Sequence, residues 1–167
     1  MPRILSGLAL VATLALGAGM ARADTQSDAT QLGRIFCVLG KSDGGQFGRM
    51  YLLSRSLTQL VNDALKKSDE IASAKPNEKP PLGDGIPYQS FPETAPACKP
   101  GKLTDKGREQ VLEIAYSFPN TAIDGWTDQL VLIAEDGRLR IDDVLFGTGE
   151  NAKGLRNKLS DLLKPAQ

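Results

Sequence analysis

The clearest pattern lies in the C-terminal half of the chain, where three segments alternate between apolar and polar positions. Over 109–118 (EQVLEIAYSF), Leu112, Ile114, Tyr116 and Phe118 recur at every second position, while Val111, Glu113, Ala115 and Ser117 occupy the other face. A period of two is that of a strand with one face buried. Pro119-Asn120 breaks this strand and Asp124-Gly125 turns the chain. Leu130, Leu132 and Ala134 then alternate with Gln129, Val131 and Ile133, so the second strand is apolar on nearly both faces and is predicted to be central. Asp136-Gly137 supplies two residues that tolerate positive φ, as a tight hairpin requires. A third strand follows over 138–146.

Upstream the period becomes helical. Leu32, Ile35, Phe36 and Leu39 define a first amphipathic helix that ends near Gly40, with Cys37 beside its stripe. A second helical region, 46–74, carries Phe47, Met50, Leu53, Leu57, Leu60, Val61, Ala64 and Leu65 at intervals of three and four. Ser54 or Ser56 can cap a fresh helix start and divide it. Seven of the ten prolines fall within 75–101, which suits neither a helix nor a central strand. That segment is predicted to be an ordered flap along the sheet edge, with 86–91 as an edge strand. A last helix over 151–164 buries Leu155, Leu159, Leu162 and Leu163. The predicted class is α+β: N-terminal helices packed on a curved antiparallel sheet, followed by a C-terminal helix.

The first residues set an address. Arg3, an apolar run over 4–18 and the small-residue site Ala21-Arg22-Ala23 read as a signal peptide cut before Asp24. The run is shorter than the roughly 20 residues of a spanning helix, so no stable membrane anchor is expected. The first cysteine is Cys37, far from the cut, which argues against lipid attachment. Residues 24–167 then form a single domain in the periplasm or outside the cell. They carry 18 basic and 20 acidic residues, a balance that disfavours nucleic acid or an anionic membrane surface as partner. The expected partner is a small molecule or a periplasmic protein. In an oxidising compartment Cys37 and Cys98, the only cysteines, are predicted to form a disulfide between the first helix and the flap.

One residue breaks the pattern of the third strand. Counting by two places Asp143 with Leu139, Ile141 and Leu145, an acid on an apolar face, whereas Arg138, Arg140, Asp142 and Val144 share the other. Such a carboxylate needs a hydrogen-bond partner, for instance Trp126 or a tyrosine hydroxyl, or else it meets a cavity and a ligand. Tyr88, Tyr116, Trp126 and Asp143 are therefore the candidate ligand-binding residues. Catalytic signatures are absent: the chain has no histidine, Asp142 and Asp143 point to opposite faces of a regular strand, and Gly147, Gly149 and Gly154 do not have phosphate-loop spacing. No catalytic residue, metal or cofactor is predicted.

With helices first and a sheet ending in Arg140-Ile141-Asp142-Asp143-Val144, the chain resembles the nuclear transport factor 2-like superfamily of α+β cones. More narrowly it is similar to small bacterial secreted and lipoprotein domains of unknown function, although Leu139 stands where an aromatic residue is common. The resemblance implies a site in the mouth of the cone. That superfamily includes ketosteroid isomerase and scytalone dehydratase, none of whose catalytic residues carries over. The expected function is a non-catalytic binding or interaction module. The alternative is a lyase or isomerase in which Asp143 moves a proton while Tyr116 or Tyr88 polarises a carbonyl.

Overall fold

Apolar stripes on three helices seal one face of an antiparallel sheet. The computed structural model describes residues 18–42, 44–149 and 151–165, with side chains from residue 25 onward. Three helices come first, α1 (Ala18–Leu39), α2 (Gly45–Met50) and α3 (Arg55–Ala74). Four strands follow, β1 (Ala97–Asp105), β2 (Gln110–Ser117), β3 (Trp126–Glu135) and β4 (Arg138–Leu145), and then α4 (Leu155–Leu163). The sheet is a meander in the order β1-β2-β3-β4, so the protein has the predicted α+β class. The leader read over 1–23 lies outside the described residues as far as position 17. From Ala18 the chain is in α1, which runs through the expected cut before Asp24.

The core lies where Leu112, Ile114, Leu130, Leu132, Ile141 and Val144 of the sheet meet Phe36, Leu57, Val61, Leu155 and Leu159 of the helices. Helix α1 comes close to the sheet because Gly33 has no side chain: a Cβ there would lie 2.7 Å from Leu112 Cδ2. Among its described residues Ala29, Gly33, Phe36 and Cys37 are buried, whereas Ile35, expected in the stripe, is 39 % exposed. The long helical region divides at Ser54, whose Oγ accepts the Leu57 N–H at 3.1 Å as an N-cap. The division shifts the helical phase, so Phe47 faces solvent instead of joining the core. Asp136 (φ 51°) and Gly137 (φ 72°) make the expected hairpin turn.

The expectation for the sheet edge is corrected. Residues 86–91 form no strand, and the edge next to β2 is β1, with Cys98 opposite Tyr116. Pro87 and Pro92 have no N–H to give a ladder, and the N–H groups of Ile86 and Ser90 bind side chains instead, Gln46 Oε1 at 3.1 Å and Asp128 Oδ2 at 2.9 Å. β1 accommodates Pro100 because an edge strand needs donors on one side only, and its register shifts between Pro100 and Leu103. The other edge, β4, is closed by the chain entering α3: Ser54 N donates to Ile141 O at 2.8 Å and Ile141 N to Leu52 O at 2.9 Å. The Cys37–Cys98 disulfide ties α1 to the start of β1, at the end of the flap, with Cα atoms 5.5 Å apart.

Candidate functional site

The flap, 75–96, together with α2 and α4 lines an open cleft of about 680 Å³. This is within the range of roughly 300–1,000 Å³ typical of small-molecule sites. Its lining includes Gly40, Arg49, Ile86, Tyr88, Phe91 and Lys158. The flap is fastened at three points, Leu82 N to Ser68 Oγ at 3.1 Å besides the Ile86 and Ser90 anchors. Gly85 turns it with φ 90°, where a Cβ would collide with Gln46 Oε1.

Arg49 forms the floor. Only 6 % exposed, it lays its guanidinium over the Phe36 ring, 3.9 Å from the centroid, and donates Nε–H to Phe36 O at 3.1 Å. Gly40 makes room for it, since a Cβ there would stand 2.0 Å from Nη2. Among the described residues no carboxylate is paired with Arg49; besides its Nε–H bond to Phe36 O, the group its guanidinium approaches is the neutral Tyr116 hydroxyl. Desolvation of an unpaired charge costs several kcal/mol. The ring contact, about 0.5–2 kcal/mol, and the charge-assisted carbonyl bond, about 1.5–3 kcal/mol, offset a part of that. Burial accordingly pulls the guanidinium below its usual range, against the opposing influence of Tyr116 and Tyr88.

Both tyrosines expected at the site border this arginine. Tyr88, 2 % exposed, packs edge-on against Phe36 with centroids 6.4 Å apart. Burial pushes its phenol up to about 12, opposed by the charge of Arg49. Tyr116, 4 % exposed, lies beside the disulfide and stacks on Trp126 at 4.6 Å. Burial raises its phenol further, with Arg49 opposing and the charge of Asp128 adding to the rise. Both hydroxyls are buried without a hydrogen-bond partner among the described residues, the Arg49 guanidinium lying beside that of Tyr116. Both phenols are therefore neutral donors at neutral pH.

Asp143 is elsewhere, and its expected face is corrected. The β3–β4 register runs Leu132↔Ile141 and then Val131↔Asp143, leaving Asp142 as the extra residue of a bulge. Beyond it the parity inverts, so Val144 is in the core opposite Leu130 and Asp143 shares the face of Val131. Asp143 Oδ1 accepts N–H groups from Val144 at 2.8 Å and Arg156 at 3.0 Å. It thus caps α4, whose N-cap residue, Gly154, has no side chain for the purpose. Asp142 Oδ1 accepts from Ser54 at 2.6 Å, Ser56 at 3.2 Å and Arg156 Nη2 at 2.5 Å, joining β4 to the starts of α3 and α4.

The acid buried on the core face is Asp128, at 0 % exposure. Its Oδ2 accepts from Ser90 N at 2.9 Å and Trp126 Nε1 at 3.0 Å, and its Oδ1 from Gly147 N at 3.0 Å. Its signal was present in the chain, because counting back by two from Leu132 through Leu130 reaches Asp128 and Trp126. Arg49 had none: an arginine in a six-residue helix reads as solvent-facing.

No family model, curated protein or solved structure matches this chain. Arg49, Lys158 and the neutral Tyr88 provide positive charge and hydrogen-bond donors, an arrangement suited to holding a ligand. Lys158 Nζ stands 5.3 Å from the centroid of the Phe146 ring and has no carboxylate partner among the described residues.

Proposed function

We propose that this is an exported binding module of the nuclear transport factor 2-like kind, which holds a small molecule in the cleft beneath the flap without turning it over. The observation that carries the reading is the buried guanidinium of Arg49 on the cleft floor, with no carboxylate paired to it among the described residues. Export rests on the leader pattern over 1–23, and the Cys37–Cys98 disulfide supports it. No helix among the described residues is long and apolar enough to cross a membrane. The lyase or isomerase reading requires Asp143 and a phenol to meet on one substrate. Asp143 instead binds the start of α4, while Tyr88 and Tyr116 border Arg49, so no observation favours that reading.

Intact-complex mass spectrometry of protein purified from its own cell envelope without denaturation tests the proposal. A co-purifying mass that dissociates on unfolding, with slowed hydrogen exchange at 86–91, is expected. Recovery of ligand-free chain alone, with no slowing of those amides in envelope extract, would overturn it.

A further inference from the structure

We infer that the ligand of the cleft is a small monocarboxylate with an apolar body, whose carboxylate docks on the guanidinium of Arg49. This deepens the reading above and rests on the cleft being a binding site.

The first ground is the state of Arg49. Arg55 and Arg156 each have an acidic partner, Asp136 at 2.9 Å and Asp142 at 2.5 Å, and both are far more exposed to water than Arg49. Arg49 is nine-tenths buried, has none among the described residues, and lines the cleft. A guanidinium is a planar fork of donors that stays charged, and it matches a carboxylate with two parallel N–H···O bonds. The second ground is the charge around it. Among the described lining residues the cations are Arg49 and Lys158, and the one acid, Asp84, is already paired with Lys79 at 2.6 Å. Tyr88 adds a hydroxyl without a partner. The third ground is the wall: Ile86, Phe91, Leu159 and Leu162 offer an apolar surface next to this polar floor. The planar fork of Arg49 beside this wall suits a carboxylate carried on an apolar body. Many phosphate sites add backbone N–H donors at a helix start, and the helix whose start lines this cleft, α2, has six residues.

Titration calorimetry of the whole protein with benzoate, benzamide and inorganic phosphate tests this, and amide shifts over 86–91 report whether the cleft is the place occupied. Benzoate is expected to bind at least about tenfold more tightly than benzamide, the ring of the same size without the charge. Arg49→Met should abolish the difference, and Arg49→Lys should keep a part of it. Lys158→Gln, outside the core, gives a second reading should Arg49→Met not fold, and is expected to weaken benzoate and leave benzamide unchanged. Equal binding of benzamide, or benzoate undiminished by Arg49→Met, sinks the inference while leaving the cleft a binding site. Phosphate preferred over benzoate sinks it in favour of a phosphorylated ligand. If no probe moves the flap amides, the carboxylate inference fails, and the co-purifying mass alone then judges the cleft.

Discussion

At the scale of single residues, Asp142 and Asp143 are chain neighbours with opposite electrostatic circumstances. Burial would raise the Asp142 carboxyl, but hydrogen bonds from Ser54, Arg156 and Ser56 and the Arg156 charge hold it below its usual value. Burial wins at Asp143, whose carboxyl is raised despite its backbone donors and Arg156. A depressed folded-state pKa gives stability that is present above the unfolded value, about 3.9, and lost as pH falls through the folded one. A raised one gives the reverse, stability lost as pH climbs from the unfolded value through the folded one. Asp142→Ala, which strands Arg156, is therefore expected to cost roughly 1–3 kcal/mol near neutral pH and to flatten the loss of stability in acid. Asp143→Asn should cost less, because an amide oxygen still accepts at the α4 start. Urea midpoints at about pH 7 and about pH 3 separate the two. Asp128 gives a second test. Asp128→Asn presents an NH2 group to donors now served by both oxygens and should destabilise by about 1–3 kcal/mol. Hydrogen exchange at Ser90 and Gly147 should rise with it; unchanged exchange there would show that the flap does not depend on this carboxylate.

Among the elements, the strands were more legible than their edges. The core face of β2, with Leu112, Ile114 and Tyr116, and the central place of β3 follow from alternation alone. Alternation failed beyond Ile141 because a bulge adds one residue and inverts every later assignment, and a bulge leaves no mark on period two. In the helices the capping serine was readable, since Ser54 stands just before the stripe Leu57, Val61, Ala64. Phe47 was not, because its helix is too short to share the phase of the next. The element joint most open to test is the disulfide from α1 to β1. Its loop of 61 residues restricts the unfolded chain. Cys98→Ala should accordingly lower stability by about 4 kcal/mol on the loop-entropy account, measured by urea denaturation. A loss much under that figure would mean that α1 is held by its packing around Gly33 and Phe36.

For the whole molecule, the leader pattern predicts an exported form that starts at Asp24. Intact mass of the protein from the cell envelope should lack residues 1–23; a mass that retains them refutes the cut. The amino-acid pattern by itself determined the α+β class, the order of helices before strands, the hairpin at Asp136-Gly137 and the pairing of the two cysteines, because each depends on local period, turn chemistry or a count of two. Tertiary structure alone decided what the polar residues do. Whether an acid is buried depends on the register of its strand, which moved Asp143 to a helix cap and left Asp128 in the core. Whether an arginine is paired depends on which elements close over it. Arg49 became the floor of a cleft only when α1, α2 and the flap met around it, and neighbours so distant in sequence have no signature along the chain.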